Sequence, residues 1–376
     1  MTASQNLVPP ATVPVPTKPE EINAAWLSSV LGQAVTAVEI IKILPGTATK
    51  VLISVTYAHP RSLNGNHGGP TDLPTRFCIK GGLDPNMLAA IPWIQTLYDR
   101  EVSFYTHLSD IFAKAGAPEI PKCYWAGNGL LVLQDLSSSS SCSMSFGTPL
   151  SPTSLGAVMS GVEQLAALHA KTWNGETPSW LVGQERHYDM AIMSMARNYE
   201  AVVCGKDRPV VPESLKDQTR MHRVLGKYLV RYQGRYKSLL HGDAHVSNTY
   251  LLHDGRGEKT TRFLDWQMVH IGSPFRDVAY FVVGAMDVES RRENEWMVVG
   301  HYLDCLERFG GPRLRLGTEQ DDMDGVREEY KCGILAGLGP IVCPYEMQPR
   351  EWVFAMAERY ATALDDHKVL DLVEGL

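Results

Sequence analysis

The residue types best suited to chemistry lie between positions 241 and 265. His241-Gly242-Asp243-Ala244-His245-Val246-Ser247-Asn248 sets a carboxylate two residues after one imidazole and five before an amide, in the order H-x-D-x-x-x-x-N. Thr249 to His253 reads as a strand, Asp254-Gly255-Arg256-Gly257 as turn chemistry, and Thr260 to Leu264 as the return strand. If Thr249 pairs with Leu264 and His253 with Thr260, Asn248 falls opposite Asp265. Directly opposed residues sit roughly 4.5–5.5 Å apart. An amide oxygen and a carboxylate at that spacing would grip a divalent cation, leaving Asp243 one loop away to handle a proton. Phosphoryl transfer needs those parts: metal-binding oxygens and a carboxylate that orients a hydroxyl.

The rest of the chain must position this loop. Residues 1–19 carry five prolines and read as an extended tail. Pro19 to Leu31 reads as a helix stopped by Gly32. Val35–Leu44, Val51–Tyr57, Arg76–Lys80, Ile120–Trp125 and Leu130–Leu133 read as five strands of a small antiparallel sheet. Pro45 to Lys50 forms one turn and Gly127-Asn128-Gly129 another. His59 to Thr75 reads as a surface insertion, and Trp93 to Leu108 as a helix. The serine run 137–141 marks a compositional break and reads as a mobile loop. The domains are therefore 1–19 tail, 20–134 first lobe and 135–376 second lobe. In the second lobe, Ser151-Pro152 supplies cap and first residue of a core helix, with His169 a satisfied core histidine. Residues 186–233 read as two helices, Ser273-Pro274 opens another, and 289–376 reads as helical. Glu319 to Glu329 reads as a solvated acidic face.

The 376 residues carry a formal charge of −7, which offers no electrostatic footprint for nucleic acid or an anionic membrane. The apolar run Gly333 to Cys343 is too short to cross a bilayer, and Met1 to Pro16 does not read as a signal peptide. Seven scattered cysteines without a C-x-x-C pair suit a reducing, cytoplasmic setting.

His241-Gly242-Asp243, Leu264-Asp265-Trp266-Gln267 and Gly272-Ser273-Pro274-Phe275-Arg276-Asp277 together resemble the aminoglycoside phosphotransferase superfamily, and within it the ecdysteroid-kinase-like branch of small-molecule kinases. The resemblance implies an α+β, two-lobed protein-kinase-like fold, with a small antiparallel-sheet N-lobe, a mostly helical C-lobe and a nucleotide cleft between them. It implies ATP and Mg²⁺ as cofactors, Asp243 as catalytic base, and Asn248 and Asp265 as metal ligands. Lys80 would hold the nucleotide phosphates and Glu101 would hold Lys80. Gly46 and Thr47 would cover the phosphates, with a plain hairpin turn as the alternative for that glycine. Gln134 C=O and Leu136 N–H would meet adenine. His241 would brace the backbone, His245 has no evident partner, and Asp277 would accept hydrogen bonds from the loop backbone.

The expected reaction is phosphorylation of a hydroxyl on a small molecule, preferentially a lipophilic or steroid-like alcohol. Tyr345, Trp352, Phe354 and the 333–343 segment are candidates for an apolar acceptor pocket or for core. Three other readings stay open. An aminoglycoside-type kinase would use an acidic C-terminal surface for a cationic sugar. A metal-dependent hydrolase would ligate zinc through His241, Asp243 and His245. A catalytically silent binding module would keep the fold alone, against the joint retention of Lys80, Asp243, Asn248 and Asp265.

Overall fold

A computed structural model describes residues 13–58, 73–115, 117–138, 143–181, 187–231, 234–253 and 259–376. They divide into two compact units, one within Met1–Lys114 plus Ile120–Ser141, the other within Ala115–Glu119 plus Cys142–Leu376.

The first unit is built on an antiparallel sheet of β1 (Val35–Leu44), β2 (Thr49–Tyr57), β3 (Arg76–Gly81), β4 (Cys123–Gly127) and β5 (Leu130–Gln134), in the order β1-β2-β3-β5-β4. Alternation along β2 sends Val51, Ile53 and Val55 to the core. There they meet Phe77, Ile79 and Val132, together with Trp26, Leu27 and Val30 of α1 (Ala24–Leu31). Asn128 and Gly129 both have positive φ (52° and 71°), as a two-residue turn between twisted strands demands. A short helix α2 (Pro85–Ala90) precedes α3 (Gln95–Ala115), which buries Leu97, Tyr98, Phe104, Tyr105 and Phe112.

Two expectations fail at the chain start. Pro19–Glu21 is a separate 3₁₀ turn, and α1 begins only after Asn23, whose side chain accepts from Trp26 N–H. Nor is the stretch before it a tail throughout, because Val13 and Val15 pack against the core. Residues 1–12, most of the 59–75 insertion and Ser139 to Ser141 lie outside the described residues. Leu136–Ser138 forms a 3₁₀ turn.

The second unit is mostly helical. It contains a sheet of β6 (Ser143–Phe146), β8 (Thr249–His253) and β9 (Lys259–Phe263), and a two-stranded pair of β7 (Ser238–Leu240) with β10 (His270–Gly272). The long core helix α4 (Leu155–Thr172) starts three residues later than expected, with Ser154 and not Ser151 at the cap. Thr153 N–H instead bonds to Ala285 O (2.8 Å), so tertiary contact overrides the local Ser-Pro signal. Residues 187–231 hold three short helices, α5 (His187–Met195), α6 (Tyr199–Cys204) and α7 (Gln218–Leu225), and a π-helical turn Gly226–Arg231, more pieces than expected. After the loop come α8 (Pro274–Ala285), α9 (Val288–Arg308), α10 (Val326–Gly333), α11 (Leu338–Val342), α12 (Arg350–Asp366) and α13 (Val369–Gly375). No helix among the described residues is long and apolar enough to cross a membrane. The six described cysteines are free thiols.

Candidate active site

The loop 241–248 leaves β7 beside β10, where Leu240 pairs with His270. Gly242 has φ +82°, and a Cβ there would stand 2.1 Å from Met268 O. Only glycine fits such a backbone approach. The N–H groups of this bend are taken by a carboxylate in the first turn of α8. Asp277 accepts from His241 N–H at 2.6 Å and from Gly242 N–H at 3.1 Å. Its residue is 1 % exposed, and burial alone would raise its pKa. The hydrogen bond and charge of His169, then His241 and Gly242 N–H, outweigh that cost and hold it below the ordinary carboxylate value. His169 itself is a core residue, bonded to Tyr302 Oη (2.9 Å) and Asp277 (3.4 Å).

His241 is fully committed to the backbone. Its Nδ1 accepts from Asp243 N–H (3.3 Å) and its Nε2 lies 3.1 Å from Leu264 O. Accepting at one nitrogen and donating at the other requires the neutral ring. Burial lowers its pKa accordingly, against the pull of Asp277 and Asp243. Neither nitrogen is left to bind zinc. No group of three or more His, Cys, Asp or Glu placed for a metal occurs among the described residues.

Asp243 has two neighbours. Asn248 Nδ2 donates to its Oδ2 (3.1 Å) and to its main-chain O (3.0 Å). His245, which has no evident partner in the sequence, brings Nε2 to 3.6 Å from Asp243 Oδ2 while its Nδ1 accepts from Ser247 N–H. Burial opposes its charge, but Asp243 and then Asp265 raise its pKa above the ordinary imidazole value. The 3₁₀ turn Val246–Asn248 produces this arrangement by folding the chain back after His245.

The expected hairpin register is wrong by one residue. Thr249 pairs with Phe263, Leu252 with Thr260 and His253 with Lys259. Asn248 therefore stands opposite Leu264, whose N–H it accepts at 3.0 Å, and not opposite Asp265. The connecting residues 254–258, on which the expected turn was placed, lie outside the described residues. Asp265 comes one residue later, at φ +71°. The chain leaves the strand there into the 3₁₀ turn Trp266–Met268. Trp266 lays its ring against His241 (centroids 4.6 Å apart). The charge of Asp265 acts on both His241 and His245.

In the first unit, Lys80 at the end of β3 and Glu101 on α3 form a buried ion pair at 2.7 Å, each side chain 3 % exposed. Tyr98, one turn before Glu101, donates its hydroxyl to Thr47 O (2.5 Å) in the β1–β2 turn. Gly46 is exposed and outside the left-handed region, and a Cβ there would make only an ordinary 3.6 Å contact with Ala48 O. Gln134 pairs with Phe77 at the end of β5. Between Gln134 and Leu136 sits a residue given no role by the sequence. Asp135 is buried, ion-paired with Arg76 (2.9 Å), and accepts from Ser137 N–H and Oγ. It fixes both the start of β3 and the turn that follows β5.

Residues 79–309 match the ecdysteroid kinase-like family. The chain belongs to that family. It is with them a small-molecule kinase. A search of curated proteins finds no match. Among solved structures, choline kinase from Cryptosporidium parvum Iowa II is 12 % identical, with 90 % of each chain covered and a TM-score of 0.49. Choline kinase LicA from Streptococcus pneumoniae is 13 % identical over 91 % of this chain and 96 % of that one, TM-score 0.44. Aminoglycoside phosphotransferase APH(3'')-Id from Streptomyces rimosus ATCC10970 is 14 % identical over 80 % and 92 %, TM-score 0.41.

Two further features of this ecdysteroid kinase-like chain bear on its site. Arg276, part of the motif before Asp277, is buried. It binds Asp189 (2.5 Å) and His270 Nε2 (3.1 Å), and its guanidinium lies 5.0 Å from the Tyr188 ring centroid. Tyr188 in turn bonds to Tyr280 Oη (2.8 Å), and Tyr280 stacks on Tyr360. The charge of Asp243 reaches all three tyrosines, whose hydroxyls burial holds well above their ordinary pKa. The acidic 319–329 segment is solvated in part: Glu319 and Asp321 are exposed. Glu319 pairs with Lys331 and Arg327, Asp322 accepts from Arg327 N–H, and buried Glu329 accepts from Arg235 N–H and Ser273 Oγ. Tyr345 and Phe354 lie under the guanidinium groups of Arg208 and Arg350.

Proposed function

We propose that this chain phosphorylates the hydroxyl of a lipophilic, steroid-like alcohol, with ATP and Mg²⁺ as cofactors, in the cytoplasm. The single observation that carries the reading is the side chain of Asn248. Its amide nitrogen holds Asp243 twice, which turns the amide oxygen away from that carboxylate and keeps it for a cation. One residue thereby ties the proton acceptor to the metal ligand. Asp265 supplies the anionic ligand. A set with one carboxylate and one amide oxygen suits Mg²⁺, which keeps waters and phosphate oxygens in its remaining positions.

Bound Mg²⁺–ATP supplies the phosphoryl group and neutralises its charge. The chain does the rest. Asp243 orients the acceptor hydroxyl and takes its proton, with the His245 ring beside it, Nε2 toward the carboxylate. Lys80, held straight by Glu101, binds phosphate oxygens. The backbone of Gly46 and Thr47 meets the phosphates, and Gln134 C=O and Leu136 N–H meet the adenine. The lipophilic acceptor is supported by the tyrosines that the charge of Asp243 reaches, Tyr188, Tyr280 and Tyr360.

The test is a screen of the purified chain with Mg²⁺–ATP against sterols, other lipophilic alcohols, amino sugars and polar alcohols, read by product mass. A phosphorylated lipophilic alcohol is expected; phosphorylation of amino sugars alone would sink the acceptor class. Asp243→Asn should lower kcat by about 10²–10⁴-fold, the usual share of a positioned base, with Mg²⁺–ATP binding by calorimetry near wild type. Lys80→Ala should raise KM for ATP or lower kcat, and no change in either removes it from the site.

A further inference from the structure

The sheet of the first unit ends in two unlike edges. At one, β4 is short and its Trp125 stacks edge-on against Trp26 of α1. At the other, β1 runs for ten residues and is exposed along most of its length. Its side chains are not those of a solvated strand: Ile40 is 37 % exposed, and Ile41 and Ile43 are each 43 % exposed.

The register shows why these residues are apolar. Val38, Ile40 and Ile43 lie directly opposite Val55, Ile53 and Val51 of β2, all buried. Opposed residues share a face, so the core face of the sheet continues onto β1 and runs out of cover there. Ala37, Glu39, Lys42 and Leu44 lie opposite Thr56, Ser54, Leu52 and Lys50, on the other face. A register shift between Ile40 and Lys42 makes Ile41 the extra, bulged residue.

We infer that β1 is a self-complementary edge that pairs antiparallel with β1 of a second copy, about a two-fold axis between Ile40 and Ile41. In that register Glu39 meets Lys42 of the second copy, and Lys42 meets its Glu39. Val38 meets Ile43, Ala37 meets Leu44, and Ile40 meets Ile41. Every regular pair joins residues of the same face, core with core and outer with outer, and the bulged Ile41 falls at the centre beside Ile40. Glu39 and Lys42 form no ion pair with other described residues, so both charges are available. An edge lysine and a bulge ordinarily repel foreign strands. Here the glutamate at the symmetric position makes that same lysine complementary to its own copy. Such an isologous contact closes on itself, and the two uncovered core faces continue one another.

Sedimentation equilibrium of the full chain over a range of concentrations tests the inference. The wild type should approach the mass of two chains as concentration rises. E39K sets lysine against lysine and K42E sets glutamate against glutamate, so each variant alone should weaken association at least about tenfold. Both positions lie exposed on a strand, and circular dichroism checks that the variants keep the fold. An equimolar mixture of the two single variants restores every opposite-charge pair and should associate again, as should the double variant E39K/K42E. A wild type that stays monomeric throughout overturns the inference. So do single variants that associate like wild type, or a mixture that fails to regain what each variant lost.

Discussion

The loop His241–Asn248 and the turn Pro45–Ala48 are both short and irregular, and both are assigned contacts with the reacting groups, yet they are held in opposite ways. In the loop nearly every polar atom has a partner inside the unit. Asp277 takes two backbone N–H groups, His241 takes Asp243 N–H and reaches Leu264 O, and Asn248 returns to Asp243. The turn is tied at Thr47 O by one tyrosine hydroxyl, with Gly46 exposed. A carboxylate that must meet a hydroxyl within hydrogen-bond reach gains from a fixed frame. Backbone donors that follow a flexible phosphate chain do not need one.

The largest expected effect comes from removing the frame of the loop. Asp277→Ala leaves the N–H groups of His241 and Gly242 without an acceptor and takes the partner from His169, all in a buried site. Losses of this kind cost about 3–5 kcal/mol. Urea denaturation should show that loss together with collapse of turnover. A variant within about 1 kcal/mol of wild type would mean that Asp277 does not hold the loop, and the contrast with the turn would vanish.

A smaller effect of the same network is acid sensitivity. The folded-state pKa of Asp277 lies below its ordinary 3.8, so its contribution is complete above that value and is lost as pH falls through the lowered one. His241 must stay neutral and its pKa lies below 6.5. Its contribution is present above 6.5 and is likewise lost as pH falls. Unfolding free energy measured against pH should therefore decline below 6.5 and fall again below 3.8. Asp277→Asn should flatten the second decline, and an unchanged acid limb in that variant would break the assignment.

The same contrast explains what the sequence discloses. Apolar-rich runs bounded by turn residues mark all five strands of the first sheet, and in β2 strict alternation matches the burial. The roles of His241 and Asp277 as braces are legible too, that of Asp277 through the family resemblance of its motif. The hairpin register is not legible. A loop of six residues and one of five read alike between His253 and Thr260, and one residue decides whether Asn248 faces Leu264 or Asp265. His245 escapes for another reason: its approach to Asp243 depends on a single 3₁₀ turn at Val246–Asn248. The roles of Asp135 and Glu329 are not legible because their partners, Arg76 and Ser273, are far away in the chain.

The smallest expected effect separates structure from function at the turn itself. A glycine in a tight turn is usually there for its backbone freedom. Gly46 does not use that freedom, for its φ is not left-handed and a Cβ would find room. Gly46→Ala should therefore leave stability unchanged or raise it by about 0.4–1 kcal/mol, through a less flexible unfolded chain. If the bare backbone is kept for phosphate oxygens, the same variant should raise KM for ATP while its melting temperature does not fall. Tyr98→Phe provides the control. It removes one hydrogen bond to Thr47, worth about 0.5–1.5 kcal/mol, and loosens the turn without blocking it. Its rise in KM should be a few-fold and should come with a small loss of stability. A Gly46→Ala chain with wild-type KM would reduce the turn to a plain hairpin. A Tyr98→Phe chain with the larger KM defect would show instead that the turn, like the loop, works only when held.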